Sequence, residues 1–399
     1  MSPLVLFCLV FCSQLTGGLN TPLPPPSYGD YVSILSIDGG GIRGLIPAAV
    51  LHYLDKTLKF MDRTASLAHY FDVISGTDTG GLMTAMLAAP SSYDPNHPLF
   101  TPSEVALFYK KYGPEIFKPR PIWDPIKCPK YDGVFIRNIT SEILKDTRLS
   151  ETLTNVVIPS FDEKKVKPVV FSKLKVSMLK TEAYLNAKLS DICVATSAAP
   201  TLLPSHQFEN DGVQFDLVDG ALAANNPAMA AVSEVIQEHH AEKEILLLSL
   251  GTGIPKAKDK LGDDNDDDSC LLRWLGEHSD TISEVISKTD MTHSYLATIF
   301  PGLFPAENYL RIEEYNLDPS MGAVDNTTEE NMDSLVKVGN ALLDKKAKRM
   351  NVNTFVPFKL HQTNAMALDM LAEKLYAERQ LRLKRKSMEK GGRSFTETI

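Results

Sequence analysis

The chain has 399 residues, of which 43% are hydrophobic, so it is long enough to bury a full core as one large domain with an extension. Its formal net charge of -9 excludes the basic surface that nucleic acid binding requires. The spacing of cysteines and histidines also matches no zinc site. We therefore expect neither a nucleic acid partner nor a zinc centre.

The N-terminus begins with a short apolar run that is followed by small residues at 16–18. This pattern is typical of a signal peptide over residues 1–18, although its first residues lack Lys and Arg, and the run is too short to span a bilayer. It predicts the secretory pathway, with a vacuolar or extracellular destination. The alternative is an apolar arm on a cytoplasmic protein. Two sequons, at Asn138 and Asn326, are candidate glycosylation sites that fit the secretory route.

Residues 19–30 contain four prolines and predict an extended linker before the folded core. Two strand-loop-helix units follow. The first has an apolar run at 32–37, a triple glycine, and apolar residues at helical spacing over 45–58. The second has a buried strand at 70–75 and a helix at 80–88.

A third region supplies a helix and then a strand. Asn226-Pro227 starts a helix that runs to about residue 240, and an almost unbroken run of leucine and isoleucine at 244–250 predicts a strand. Strands that are apolar on both faces and separated by helices are typical of a mainly parallel sheet covered on both sides. We therefore predict an α/β fold of three layers, α/β/α, whose core spans residues 31–260.

For the remaining residues, 261–399, the sequence predicts an acidic loop and a helical C-terminal part that packs on the same domain. The acidic run at 263–268 lacks the glycine and the terminal glutamate of a calcium loop, so a solvated loop is the better interpretation. Thr327 and Glu330 predict a capping box for a helix that ends in the basic residues at 345–349.

A last helix is predicted to start near Thr363 and to continue into a basic run at 379–386. This basic end contacts anionic lipid headgroups or is an ordinary solvated helix end, and the sequence leaves both interpretations open.

The pentapeptide Gly76-Thr77-Asp78-Thr79-Gly80 has the G-x-S-x-G frame of a serine hydrolase, with Asp78 in the place of the serine. It lies between a predicted buried strand and a predicted helix. Such a turn holds a nucleophile above the sheet, and Gly76 and Gly80 allow the close approach that it needs. The frame predicts a nucleophile elbow without its usual nucleophile.

A triple glycine, formed by Gly39, Gly40 and Gly41, closes the first predicted strand. Backbone N–H groups at such a strand end can point at a developing negative charge, which is the form of an oxyanion hole. A phosphate-binding loop is the rival interpretation, but the Lys and Ser/Thr of a P-loop are missing. Arg43 either orients an anionic headgroup in this oxyanion region or ties the loop down, and both roles stay open.

Asp219 follows two apolar residues and precedes Gly220, which predicts another strand end. An acid so placed serves as a general base, as the orienting member of a triad, or as a buried cap. No histidine stands in a motif that would make it the base. A dyad of nucleophile and Asp219 is therefore a better prediction than a triad.

Residues 38–44, the elbow, residues 196–200 and Asp219-Gly220-Ala221 together resemble the patatin-like lipid acyl hydrolases of plants, over roughly residues 30–380. The resemblance implies a patatin-type α/β fold, a Ser-Asp dyad, and an oxyanion hole from the triple glycine. It also implies hydrolysis of acyl esters of phospholipids, galactolipids and acylglycerols without a metal or other cofactor. Members of the family serve as vacuolar storage glycoproteins as well. The implied partners are membrane lipids or fatty-acyl esters, with peripheral membrane contact and a homo-oligomer as further expectations.

Asp78 does not match the serine of that family, so the activity cannot be carried over with the other positions. A carboxylate that attacked an ester would form a mixed anhydride, which is less stable than the substrate. Asp78 either shares a proton with Asp219 or accepts N–H bonds from Gly40 and Gly41, and in both arrangements the site holds its own anion. An elbow aspartate that attacks an epoxide or alkyl halide needs a positioned histidine, and none is apparent in the sequence.

We therefore expect a lipid acyl hydrolase scaffold, of the phospholipase A or galactolipase type, whose activity is lost or severely weakened and which is kept as a storage or lipid-binding protein. The alternative is an active non-specific lipolytic acyl hydrolase of lipid metabolism or defence. The sequence leaves open whether residues 99–117 form a lid over the site.

Overall fold

A computed structural model describes residues 29–120, 129–178, 180–237, 243–256, 290–354 and 356–396. The predicted signal peptide, all but the last two residues of the proline-rich linker, and the acidic run at 263–268 lie outside these ranges. Within the described ranges, no helix combines the length and the apolar character needed to cross a membrane.

An eight-stranded sheet forms the centre of the described chain. Its parallel part consists, in spatial order, of β3 (Asn155–Asp162), β2 (Val73–Gly76), β1 (Tyr31–Ile37), β7 (Glu244–Leu250) and β8 (Tyr309–Ile312). Antiparallel pairing adds β4 (Lys167–Ser172) and β6 (Val213–Val218) to β3, and β5 (His206–Asn210) to β6. The sheet is mainly parallel, as the sequence predicts.

Helices cover both faces of the sheet because its strands are apolar on both faces. In β1, Leu35 and Ile37 join the larger hydrophobic core, whereas Val32 and Ile34 join the smaller one on the other face. The larger core receives α1 (Leu45–Met61), α2 (Thr79–Ala88), α6 (Leu189–Thr196), α10 (Glu329–Asp344) and α11 (Asn364–Thr396). The smaller core receives α8 (Ala228–Gln237) and α9 (Met291–Leu303). This arrangement confirms the predicted three-layer α/β/α fold.

Four further helices are α3 (Pro102–Ile116), α4 (Val134–Leu144), α5 (Lys173–Met178) and α7 (Ala221–Ala224), of which α3 and α4 also contribute buried residues to the larger core. The helix α3 begins where its sequence favours a start. Thr101 Oγ1 accepts the N–H of Glu104 at 3.4 Å, Glu104 accepts the N–H of Thr101 at 2.8 Å, and Pro102 takes the first helical position. The segment 99–117 is therefore mostly an ordered helix.

The C-terminal part differs from the prediction at both ends of α10. The cap is Thr328 rather than Thr327, because the side chain of Thr328 accepts the N–H of Asn331 at 3.4 Å. The helix ends at Asp344, and the basic residues that follow it form a strand instead of a helix end. This strand, β9 (Lys346–Met350), pairs in antiparallel fashion with β10 (Pro357–Thr363). Pairing with the strand that follows here overrides the local helical pattern.

The basic end of α11 differs in part from both interpretations offered by the sequence, because two of its arginines are buried whereas Lys384 and Arg385 are exposed. Arg382 is 2% exposed and forms a bidentate ion pair with Asp72, and it also contacts Glu378 at 2.8 Å. Arg379 is likewise buried, over the ring of Tyr70. These arginines fix the helix to the domain, so they are neither solvated nor available to a lipid surface.

Candidate active site

The predicted elbow is a sharp turn between β2 and α2. Asp78 stands at its apex with φ 53° and ψ -130°, a backbone conformation that costs a residue with a side chain about 1–3 kcal/mol. The close packing explains the two glycines of the frame. A Cβ at Gly76 would lie 2.1 Å from the carbonyl oxygen of Gly80, and a Cβ at Gly80 would lie 2.5 Å from that of Ile37.

The glycine loop after β1 faces the apex of the elbow. The N–H groups of Gly40 and Gly41 both donate to Oδ2 of Asp78, each at 2.9 Å. Of the two arrangements expected for Asp78, the structure therefore shows the one in which its carboxylate occupies the oxyanion loop. Gly39 departs from the prediction, because its N–H donates to the carbonyl oxygen of Asn225 at 3.0 Å. The loop thus offers two donors at this position rather than three.

Arg43 lies behind the loop and is 2% exposed. Its guanidinium donates to the carbonyl oxygen of Gly253 at 2.8 Å and to that of Gly40 at 3.4 Å. These bonds correspond to the second of its two expected roles, which is to tie the loop down.

Asp219 follows β6 and is 4% exposed. Its main-chain N–H donates to the carbonyl oxygen of Ala198 at 3.0 Å, and its Oδ1 accepts the N–H of Ala221 at 2.7 Å. Asp78 and Asp219 line the same pocket, and we call them the elbow pair. The structure thus brings the two predicted dyad positions together.

Burial raises the pKa of both members of the elbow pair. For Asp78 the bonds from Gly41 and Gly40 oppose this rise, whereas for Asp219 the negative charge of Asp78 adds to it. Each carboxyl group therefore favours its neutral form more than a solvent-exposed aspartate does, with burial as the largest cause.

Thr196 connects the elbow to the acid, a role that the sequence did not assign to it. Its Oγ1 accepts the N–H of Asp78 at 3.0 Å and donates to the carbonyl oxygen of Pro159 at 2.6 Å. Its carbonyl oxygen accepts the N–H of Gly220 at 3.1 Å. The sequence signal that could have identified Thr196 is the motif at 196–200, which is part of the family resemblance.

An apolar pocket of about 80 Å³ opens beside the elbow pair. Its wall includes Phe108, Ile116 and Phe117 from the segment 99–117. Tyr109 of the same helix donates to the carbonyl oxygen of Thr79 at 2.6 Å. The segment is therefore a fixed wall of the pocket in this structure. Leu202, Leu203, Ile136 and Val324 complete most of the apolar lining.

A second group of carboxylates lies behind the glycine loop. Asp38, Asp290 and Glu313 surround Arg311, whose guanidinium forms a bidentate pair with Asp38 at 3.0 and 2.7 Å and contacts Glu313 at 2.9 Å and Asp290 at 3.2 Å. We call these four residues the arginine cluster. Burial raises the pKa of Asp38 to about 7 and that of Glu313 to about 8, although Arg311 lowers both.

The arginine cluster positions the glycine loop. Asp38 directly precedes Gly39, and Oε1 of Glu313 accepts the N–H of Gly253 at 2.8 Å. Nothing in the sequence marks this cluster, because Arg311 follows Asp38 by more than two hundred residues and stands in no motif.

The candidate glycosylation sites lie in different settings. Asn138 is exposed on α4, but Thr140 of its sequon is buried and bonded to the carbonyl oxygen of Ile136 at 2.8 Å. Asn326 is half-buried in the loop before α10, where its Oδ1 accepts the N–H of Thr328 at 3.3 Å. Glycosylation at either residue stays a prediction.

Two further observations concern the described residues around the site. In the part of the chain that the structure describes, no group of three or more His, Cys, Asp or Glu residues is arranged to hold a metal ion. The described pocket lining also contains no histidine, which an elbow aspartate attacking an epoxide or alkyl halide would need.

The chain is similar to known proteins over most of its length. A family model described as "Patatin-like phospholipase" matches residues 35–232. Patatin-like protein 3 of Arabidopsis thaliana is 41% identical over 90% of this chain and 92% of its own length. Patatin-like protein 2 of Oryza sativa subsp. indica is 40% identical over 88% and 94%, and Patatin-17 of Solanum cardiophyllum is 39% identical over 82% and 87%. Among solved structures, VipD from Legionella pneumophila gives a TM-score of 0.30 at 11% identity over 80% of this chain and 70% of its own, too low to support any statement about this chain.

Proposed function

The chain belongs to the patatin-like phospholipase family and carries a lipid acyl hydrolase scaffold, and from this premise we propose that it binds lipid acyl chains while its hydrolytic activity is lost or severely weakened. One observation carries the proposal. The carboxylate of Asp78 occupies the nucleophile position and accepts the N–H groups of Gly40 and Gly41, both at 2.9 Å. The group that should attack the ester is missing, and the donors that should stabilise the transition state are occupied.

Acyl transfer fails at each step in this arrangement. A hydroxyl at position 78 would attack the ester carbonyl while Asp219 accepted its proton. The carboxylate of Asp78 has no proton to give up, and its attack would form an anhydride. The developing oxyanion would also meet the charge of Asp78 instead of two free N–H groups. Loss of a serine nucleophile reduces turnover by about a millionfold in a well-studied hydrolase.

The two neighbouring threonines do not supply a replacement nucleophile. The hydroxyl of Thr77 donates to the carbonyl oxygen of Ala224 at 2.6 Å, and that of Thr79 donates to the carbonyl oxygen of Gly41 at 3.0 Å. Both hydroxyls are therefore engaged by the main chain. This observation counts against the alternative of an active non-specific lipolytic acyl hydrolase in lipid metabolism or defence.

The cellular role extends the same proposal. A scaffold that binds acyl chains without turnover suits a storage or lipid-binding protein, in the secretory pathway with a vacuolar or extracellular destination, or in the cytoplasm if residues 1–18 are not cleaved. Peripheral membrane contact and a homo-oligomer remain part of the proposal. The buried ion pairs of Arg382 remove this residue from any membrane surface, whereas Lys384 and Arg385 of the same helix end are exposed. Accumulation in storage tissue and later mobilisation would support storage over lipid binding.

An ester hydrolysis assay tests the proposal. We expect the native chain and its Asp78→Asn variant to hydrolyse a chromogenic fatty-acyl ester at close to the background rate. Asp78→Ser should gain activity, because it supplies the hydroxyl and frees the N–H groups of Gly40 and Gly41. Adding Asp219→Asn to that variant should remove the gain. Equal activity of the native chain and Asp78→Ser would contradict the proposal.

A further inference from the structure

The polar part of the pocket includes the two carboxyl groups of the elbow pair, the side chains of Asn225 and Ser197, and loop donors that are already used. The N–H groups of Gly40 and Gly41, which would bind an anion in an oxyanion hole, already donate to Asp78. The hydroxyl of Tyr109 donates to the carbonyl oxygen of Thr79 at 2.6 Å. What faces the pocket is the elbow pair, whose two carboxyl groups present acceptor oxygens.

One hydroxyl in this lining has no partner. Ser197 lines the pocket, is 2% exposed, and its Oγ makes no hydrogen bond with any residue that the structure describes. A buried hydroxyl without a partner is costly, and a ligand that both donates and accepts would satisfy it. The hydroxyl of Ser197 is thus a second observation, beside the acceptor oxygens of the elbow pair, that points to a bound polar group. This polar group need not carry charge.

We propose that the pocket selects uncharged long-chain lipids whose headgroup donates a hydrogen bond, such as fatty alcohols and monoacylglycerols, over fatty acids of the same chain length. The inference rests on the proposed function, because it names the headgroup chemistry of a pocket proposed there to bind acyl chains. A hydroxyl headgroup donates to the elbow pair and accepts from Ser197. The apolar wall of Phe108, Ile116 and Phe117 takes the chain.

A fatty acid carboxylate fits the same pocket poorly. It would bring a third carboxyl group to the elbow pair, and the loop donors that could compensate its charge are occupied by Asp78. The remaining charged residue of the lining is Arg43, whose guanidinium is held on the carbonyl oxygens of Gly40 and Gly253. In this pocket Asp78 stands where the carboxylate of a fatty acid product would bind in an active enzyme.

Calorimetric titration of the full chain with 1-decanol and with decanoate, at pH 8 and below their aggregation concentrations, tests this selectivity. We expect the alcohol to bind the native chain about tenfold more tightly or better. Asp78→Ser frees both loop donors and removes a charge, so the preference should disappear or reverse. Asp78→Asn, which keeps the shape of the side chain but not its charge, should give an intermediate ratio. Decanol suits this comparison because no variant can hydrolyse it.

The outcomes separate this inference from the proposed function. Decanoate binding as tightly as decanol to the native chain would overturn the selectivity while leaving a lipid-binding pocket. Binding of neither ligand to the native chain would overturn both. Ser197→Ala provides a second measurement, because it should weaken decanol several-fold and leave decanoate nearly unchanged. Equal losses for both ligands would contradict the role given to that hydroxyl.

Discussion

The elbow pair and the arginine cluster are two groups of buried carboxylates that lie on the two sides of one glycine loop. In the arginine cluster, the guanidinium of Arg311 compensates the charge with bonds of 2.7–3.2 Å. In the elbow pair, the bonds to the carboxylate of Asp78 come from the main-chain N–H groups of Gly40 and Gly41. The first arrangement holds strands together, and the second opens on a pocket. The comparison indicates that the arginine cluster fixes the glycine loop on one side, whereas the carboxylate of Asp78 occupies its N–H groups on the other.

The largest difference between the two groups should appear in stability when the cation of the arginine cluster is removed. Arg311→Met leaves three buried carboxylates without their partner, so we expect the free energy of unfolding to fall by about 3–5 kcal/mol. Urea unfolding followed by circular dichroism measures this loss. Lys118→Met is the matched control, because Lys118 pairs with Glu115 at the surface, and it should change stability by less than about 0.5 kcal/mol. A loss below about 1 kcal/mol for Arg311→Met would show that the cluster is not structural.

The pH dependence of stability examines the same cluster without removing its cation. The pKa values of Asp38 and Glu313 are raised to about 7 and about 8, so both groups favour the folded state while they are protonated. Their contribution is complete below about pH 4, declines as the pH rises, and is lost once the pH has passed these values. Between pH 5.5 and 9 we expect the native chain to lose about 1–3 kcal/mol more than Glu313→Gln does. Parallel stability profiles for the two proteins would contradict this assignment.

A smaller effect is expected at the elbow pair. Asp219→Asn removes the repulsion by Asp78 and keeps an oxygen for the N–H of Ala221, so it should stabilise the chain by about 1 kcal/mol at pH 8. Because the pKa of Asp219 is raised, its cost grows with pH, and the gain should be smaller at pH 5. Thermal unfolding at both pH values measures the difference. Asp211→Asn, at an exposed turn with φ 51° that asparagine tolerates, is the control. Destabilisation by Asp219→Asn at pH 8 would contradict the proposed repulsion.

The sequence predicts well what is encoded locally. The strand at 244–250 matches β7 in both its limits, and the helix predicted over 45–58 lies within α1. The turn with Asp78 at its apex also lies where the G-x-S-x-G frame places it, because small residues at fixed spacing specify such a turn. Asp219 can be located for the same reason, since an acid that follows an apolar strand ends up at the edge of the sheet.

Features that depend on distant pairing could not be predicted. Arg311 cannot be recognised as a site residue from the sequence, because two of its partners, Asp38 and Asp290, come from other segments of the chain. The basic residues of β9 have the local pattern of a helix end, but they pair with β10 in the structure. The arginines of α11 have the pattern of a solvated helix end, but Arg382 forms a buried ion pair with Asp72. Gly39 belongs to the triple glycine by sequence, yet the carbonyl oxygen of Asn225 takes its N–H. Except for β10, which follows β9 closely, the deciding partner lies far away along the chain.

Covalent labelling tests most directly the central claim that Asp78 disarms an otherwise complete site. A long-chain alkyl phosphonofluoridate reacts with an activated serine hydroxyl, which attacks phosphorus while fluoride leaves. Intact-mass spectrometry should find no stable adduct on the native chain and one adduct at position 78 in Asp78→Ser. A stable adduct on the native chain, at any residue that lines the pocket, would show that a working nucleophile remains and would contradict this account.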